Sequence, residues 1–546
     1  MASIKYARTA SGGVSVQVVE KVDGRTRVLK HVGTAHSDAQ LAALFVVAEE
    51  FIGPDLQLGL DLGVDVPARR TPPRMADISN YHHKVQSELA IPVGSVSAAF
   101  DTARPGRRAE SSDSVKVVAS PNLLAWDVLM RVWGDLGFDV GDDVFRSIVL
   151  ARVIAPTSKR EIPRVLEAAG QPRVHVNTIY NALKRCIDRD YQKHIESRCH
   201  KYVRAHTQVT MVLYDCTTLY FETAKEDELR KVGMSKERRV DPQIVVGLIT
   251  DNVGFPLHVE FFHGKTAETT TLIPAITAYI SAHDLAGVVV VADAAMLSAA
   301  NLDALDEAGI DYIVADRLKK APYAIAITDD DLEEWSKKTA TFEFVEETKT
   351  MRGKNADTTR RVVMGFSPKR YTYDVYTLGK QKEKAEKVVA GHASSRLPRF
   401  VKKEGGKLVV NKAVYDKALS LAGWKGYVTS LDKNQVSAQQ VVNYYHDLYH
   451  VEQAFRMAKT DLQARPIFHR RTQSIHAHLI VVLAAMAISK HIYLVTKTPA
   501  PKLITELQRH RHAVINTGRD TITVPPRIDP QTQALIDQLN NRKPGD

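Results

Sequence analysis

Asp215, Asp293 and Glu452 are the residues of this 546-residue chain whose setting points to chemistry. Asp215 follows the apolar run Val209 to Tyr214, and Asp293 follows the continuous run Val288 to Ala292, so both carboxylates are predicted at the ends of β-strands. Open α/β sheets place their sites at such ends. Acids side by side repel unless a cation joins them, which makes a divalent metal their natural partner. Glu452 lies in a run where Tyr445, Leu448, Tyr449, Glu452, Arg456 and Lys459 recur at helical spacing and share one face. The opposite stripe, Val451, Phe455, Ala458 and Leu462, is apolar. It would lay the helix on the sheet, turning Glu452 toward the aspartates and Arg456 and Lys459 toward an adjacent phosphate. Such a carboxylate trio can hold a pair of Mg²⁺ ions, one activating a water or 3′-hydroxyl and the other stabilising the leaving oxygen of an in-line displacement. Any one of these acids alone reads as a surface residue or helix cap; the case rests on their combination.

The elements that must position them are legible in the hydrophobic pattern. Val209 to Tyr214, Ile244 to Thr250 and Leu257 to Phe262 read as successive strands; a helix (Leu272 to His283), a strand (Val288 to Ala292), a helix (Ala299 to Ala308) and a strand (Tyr312 to Ala315) follow. That order is ribonuclease H-like, and in it the strand ends carrying Asp215 and Asp293 are neighbours. A strand at Gly426 to Ser430, a helix from Ser437 through Leu462 and an apolar helix from Ile475 to Ile492 resume the core. The fold class is therefore α/β, with a mixed-sheet catalytic core and a β-rich insertion.

The rest of the chain is predicted to divide around that core. An amino-terminal β-containing domain covers 1–100, with a turn at Asp23 and Gly24, and a breaker-rich linker covers 101–114 after another at Val66 to Arg74. A helical domain covers 115–200; within it Thr157 to Cys186 reads as a helix ending at Gly170, a turn with Pro172 and a second helix from near Asn177. This is either a DNA-binding helix-turn-helix or a packed helix pair, with Lys159, Arg160 and Arg173 supplying positive charge. The catalytic domain covers 201–318 and 426–495, interrupted by an inserted domain at 319–425 with strands at Thr341 to Glu346 and Arg360 to Gly365. The basic tail, 496–546, reads as loosely ordered.

Charge and cysteine content narrow the partners. Lys and Arg number 74 against 63 Asp and Glu, a net charge of +11 that favours a polyanion through counterion release. Nucleic acid leads. By charge alone any nucleic acid qualifies and a membrane surface is second. Cys186, Cys199 and Cys216 form no C-x-x-C pair, which fits a reducing, cytoplasmic compartment; Cys216 reads as a buried small hydrophobe. The longest apolar stretch, Leu479 to Ile488, is too short to span a bilayer, so no membrane role is expected. His446, His450, His469, His476 and His478 crowd one region without zinc-site spacing and read as structural or phosphate-contacting. Arg465, Arg470 and Arg471 add positive charge after the glutamate helix, and Tyr445 and Tyr449 could stack on an unpaired base.

These residues resemble bacterial insertion-sequence transposases of the DDE type, whose third acid lies in a tyrosine, arginine, glutamate, lysine signature. Tyr445, Glu452 and Lys459 match it, and Leu448 stands where the arginine is usual, leaving its phosphate contact missing or supplied by Arg456 or His450. YYHDLYHVEQAFRMAKTDLQARPIFHR, LYDCTTLYFET around Asp215 and VVVADAAMLSAANL around Asp293 look like the family's blocks, in its order. The resemblance runs from about Val209 to Tyr493. It implies cutting of transposon ends and joining to target DNA with Mg²⁺ or Mn²⁺, by a homodimer or higher oligomer assembled on DNA. Related enzymes free the element through a hairpin, a step that the Leu448 departure leaves open here. A ribonuclease H-like nuclease without strand transfer, and a DNA-binding regulator built on the Thr157 to Cys186 helices, are the alternatives.

Overall fold

The computed structural model describes residues 2–8, 14–22 and 25–35, positions 41, 44, 45 and 48, and residues 116–541 except 207–209, 224, 235–239, 324–342, 353–356, 393–396 and 518–519. The chain forms two compact units, 1–111 and 112–546. In the first, β1 (Ala2–Arg8), β2 (Val14–Val22) and β3 (Arg25–Ala35) make an antiparallel meander. The alternating Val14, Val16 and Val18 turn one face inward and pack with Ala35, Leu41 and Ala48. The turn at 23–24 and the breaker-rich segments at 66–74 and 101–114 lie outside the described residues.

The second unit opens with β4 (Lys116–Ala119) and five helices: α1 (Leu123–Asp135), α2 (Asp143–Ile154), α3 (Ile162–Ala168), α4 (Val176–Asp188) and α5 (Tyr191–His206). Asp142 caps α2 through the Val144 and Phe145 amides and also takes a bidentate Arg185 at 2.8 and 2.9 Å. One acid thus starts one helix and ties down another. The helix, turn and helix expected at Thr157 to Cys186 are present as α3 and α4, separated by a left-handed Gly170 (φ +72°). Ile179, Ala182, Leu183 and Cys186 bury one stripe of α4.

The main sheet then forms. β5 (Met211–Tyr220), β6 (Gln243–Thr250) and β7 (Pro256–His263) pair antiparallel in succession. α6 (Leu272–His283) leads to β8 (Val289–Ala292), parallel to β5, and α7 (Ala299–Glu307) leads to β9 (Asp311–Asp316), parallel to β8. The order β7-β6-β5-β8-β9 is that of ribonuclease H. The near-continuous Val and Ile of β6 and β8 suit strands buried on both faces.

Three expectations are corrected beyond β9. The segment read as a separate inserted domain sends a hairpin, β10 (Glu343–Arg352) and β11 (Asp357–Phe366), into the main sheet. Its remainder, α8 (Pro368–Val389), β12 (Val401–Glu404), β13 (Lys407–Val410) and α9 (Lys412–Ser420), has a small core of Leu378, Ala385 and Phe400. β14 (Trp424–Thr429) lies between β11 and β9, completing an eight-stranded sheet. The Val362, Val363 and Met364 run requires this burial, which a small satellite could not supply. Next, the helix expected from Ser437 through Leu462 is two: α10 (Ala438–His446) and α11 (Tyr449–Thr460). At the break, Leu448, His450 and Val451 donate to carbonyls three residues back, tightening the chain into a turn.

α12 (Thr472–Thr496) is long and apolar enough to cross a membrane by composition, yet 83% of its apolar window is buried inside the protein. The tail expected to be loose is folded: α13 (Ala500–Arg509), β15 (Ala513–Asn516), β16 (Thr521–Val524) and α14 (Pro530–Asn541) follow, with β15 pairing to both β16 and β4. Leu503, Ile504 and Leu507 at helical spacing, with Ile536 and Leu539, bury against the core and outweigh the Pro, Arg and His content.

α5 is fastened to the sheet edge by a buried ionic bond. Glu196 takes the His258 Nδ1 proton at 2.9 Å and the Val259 amide at 3.2 Å. Burial opposes the charge on His258, but Glu196 and Glu260 overcome it and hold its pKa up at about 9. This contribution is fully present below the unfolded value of 6.5 and is lost as pH rises through about 9. Stability should therefore fall by about 3 kcal/mol from this group across that window. Denaturant midpoints measured from pH 6 to 10 would show the slope, and His258→Gln should flatten it.

Candidate active site

Strand register brings the aspartates together. Tyr214 on β5 is level with Ala292 on β8, so Asp215 and Asp293, the next residue on each parallel chain, are side by side. Side-chain alternation puts Asp215 on the same face of β5 as Thr217 and Leu219. Those two line a small apolar gap together with Phe455 and Ala458 of α11, which packs on β5 and β6. Asp215 therefore faces the helix side of the sheet, where Glu452 occupies the first turn of α11. A carboxylate there is also favoured by the helix dipole. The inward stripe of Val451, Phe455 and Ala458 is buried as expected, and Leu462 with it.

Polar neighbours surround Asp293. The Tyr445 hydroxyl donates to Asp293 Oδ1 at 2.9 Å. Lys425, on β14, puts its ammonium 4.1 Å from the Tyr445 ring centre. Burial and Arg370 push the Lys425 pKa down to about 8, while Asp293 and Glu452 pull it up, so one ammonium feels both carboxylates. The local sequence did not single out Lys425, because its importance comes from strand pairing; a lysine at the edge of the apolar run Gly426 to Ser430 was the available signal. Asp316, at the end of β9, is paired with Lys349 at 2.7 Å.

The signature residues divide. Tyr445 and Leu448 are buried, not on the open face with Glu452, because the break after His446 rotates α11 relative to α10. Tyr445 thus supports Asp293, and burial removes it as a stacking platform. Tyr449 is 51% exposed. Arg456, Arg470 and Arg471 are exposed; Lys459 and Arg465 are half-buried, with the Arg465 guanidinium over the Tyr220 ring. His478 is fully enclosed beside Lys159, and Cys216 is a buried thiol in no disulfide.

The donor set fits a hard divalent cation: carboxylates on one side of the sheet, adjacent in register, with polar rather than apolar groups around Asp293. Among the described residues, no three His, Cys, Asp or Glu side chains are gathered closely enough to hold one ion. Asp215 and Asp293 are neighbours on the sheet, and Glu452 lies on the helix packed against that sheet, not gathered with them. Tyr445→Phe should lower DNA cleavage about 10- to 100-fold, as loss of a carboxylate's supporting hydrogen bond does at metal sites. A metal titration distinguishes positioning from mere destabilisation: half-maximal activity should need more Mg²⁺ in the variant.

No match is found among curated proteins. Among solved structures, similarity is found to a piggyBac transposase in a cryo-EM synaptic complex with hairpin DNA, at 9% identity and a TM-score of 0.33, covering 71% of this chain and 69% of that one. The family model described as "Transposase DDE domain" matches residues 206–488, more than half of the chain, from just before β5 into α12. That span contains all three acids and the strands and helix that carry them, so the chain belongs to the DDE transposase family.

Proposed function

We propose that this chain is an insertion-sequence transposase that cuts the ends of its element and joins them to target DNA, with Asp215, Asp293 and Glu452 as its catalytic carboxylates. The register that sets Asp215 beside Asp293 carries the reading, since acids in that position have little structural use and a clear one as metal ligands. Mg²⁺ or Mn²⁺, held as a pair by these carboxylates, would supply activation of the attacking oxygen and neutralisation of the leaving one. The chain's own contributions follow from its side chains. Tyr445 fixes the orientation of Asp293, and Lys425 offsets carboxylate repulsion before the metal binds. Arg456, Lys459 and Tyr449 meet the DNA beside the cut, and Arg465, Arg470 and Arg471 extend the basic surface. Double-stranded DNA, as terminal repeats and target, is the partner, with the protein working as a homodimer or higher oligomer.

Purified full-length chain, incubated with DNA bearing the element's own ends and a target plasmid, should nick and join only with Mg²⁺ or Mn²⁺. Cleavage that continues unchanged in excess chelator would sink the proposal. Cut but never joined products would reduce it to a nuclease. Metal-independent binding with no cutting under any condition would make the chain a regulator.

A further inference from the structure

A second chemically loaded place lies outside the carboxylate site. Between the loop 157–160, α4 and the segment after α11 is a cleft of about 380 Å³. Its wall holds Arg152, Lys159, Arg160, Arg465, His469 and His478, and among the described residues no Asp or Glu lines it. Lys159 and Arg152 are only 5% and 6% exposed. Burying a cation without a carboxylate is costly, and proteins rarely tolerate it without an anionic partner. Arg152 and Lys159, buried near each other, are of the same sign.

The hydrogen bonds show which donors remain. His478 Nε2 donates to the Ala464 carbonyl at 2.9 Å, leaving its Nδ1 as the acceptor for Lys159 at 3.2 Å. An ammonium has three protons, so this imidazole uses only one. Arg152 donates through a single nitrogen, Nη1, to the Leu462 and Gln463 carbonyls at 3.1 and 3.2 Å. Burial, with Arg152 alongside, holds the Lys159 pKa well down, and burial with both cations presses His469 to about 3. Each is the signature of a positive potential without a counterion. At the mouth, Tyr180 and Phe468 are 44% and 67% exposed, and Ser158 and Thr157 bring hydroxyls. Exposed aromatic rings beside cations suit a phosphate that carries a sugar and base more than a free ion.

We infer that this cleft is a phosphate-binding site that takes a backbone phosphodiester of DNA, gripping it between the helical region and the catalytic region. The phosphate accepts from Lys159 and the arginines, and the rings of Tyr180 and Phe468 lie against the attached nucleoside. Choosing DNA as the source rests on the transposase reading; the anion chemistry does not.

The test uses the full-length chain in chelator, so that DNA is bound without being cut. Arg160→Ala changes an exposed rim residue and should fold normally; Lys159→Met keeps the buried shape without the charge. Binding of a fluorescent duplex with a single-stranded overhang is measured by anisotropy across a salt series. Each variant should bind about tenfold more weakly, with the salt slope shallower by about one. In a parallel arm, sodium phosphate should raise the thermal midpoint of the unsubstituted chain above that in chloride of equal ionic strength, and this gain should shrink in the variants. A phosphate gain with unaltered DNA binding in Arg160→Ala makes the cleft a free-phosphate site and overturns the DNA assignment. No response in either arm overturns the cleft as an anion site, even if Lys159→Met fails to fold. Absence of DNA binding by the unsubstituted chain removes the transposase reading, while the phosphate arm still decides whether an anion enters.

Discussion

Asp293→Asn should cut DNA about 10³-fold more slowly than the unsubstituted chain while folding and binding DNA as before. Asparagine preserves volume, and its carbonyl oxygen can still accept from the Tyr445 hydroxyl, so the bond at 2.9 Å need not be lost. What disappears is the negative charge. A carboxylate that ligates a catalytic metal contributes several kcal/mol of transition-state stabilisation, and about 4 kcal/mol corresponds to that rate loss. Asp215→Asn should behave alike, because register makes the two acids a pair. Their effects should not add, since either substitution removes the same site. Single-turnover cleavage, with thermal midpoints and DNA affinities measured alongside, checks this; a variant retaining a tenth of the activity would remove Asp293 from the catalytic set.

Gly264→Ala should be among the most destabilising single-methyl additions in the chain, at about 3 kcal/mol. A Cβ at Gly264 meets the backbone oxygens of Gln243 and Lys231, neither of which can rotate away. Those residues are already locked: their amides and carbonyls exchange hydrogen bonds at 3.0 and 3.2 Å, the Gly264 amide donates to Leu229, and the Gln243 side chain donates to the Gly264 carbonyl. The methyl would separate the loop after β5 from the edge of β6 and β7. Gly379→Ala is the contrast: nothing lies within 4 Å of that position inside α8, and the exchange should stabilise by up to about 1 kcal/mol. Urea midpoints of the two variants should move in opposite directions.

The paired strand-end aspartates were legible because their signal is local. A buried strand writes itself as an apolar run, and an acid ending such a run stands out, as at Val288 to Ala292 before Asp293. Glu452 needed only the stripe of Val451, Phe455 and Ala458. Features set by distant pairing were not legible. Nothing within Ser437 to Leu462 announces the break at Asp447 and Leu448, which contains neither Gly nor Pro and depends on three-residue hydrogen bonds. The strands of the insertion were visible as strands, but not the sheet they join, since Val362 to Met364 would read the same in a satellite domain. The tail misled through composition: prolines and arginines masked Leu503 and Leu507, whose burial only the folded partner reveals. Lys425 and the cations of the cleft at Lys159 likewise acquire meaning from residues outside their own segments of the chain.

α12 touches nearly every part of the second unit: it packs on α1, α2, α4 and α5 of the helical region, on α11 and β7 of the catalytic region, and on α13 and α14 of the tail. A shared central rod of this kind leaves no seam along which the helical region could swing away from the carboxylates. The spacing between the helical region and the carboxylates is therefore fixed by the interior itself, like jaws forged on one shank. On the proposed function, end sequences shifted by a few base pairs should be held without being cut.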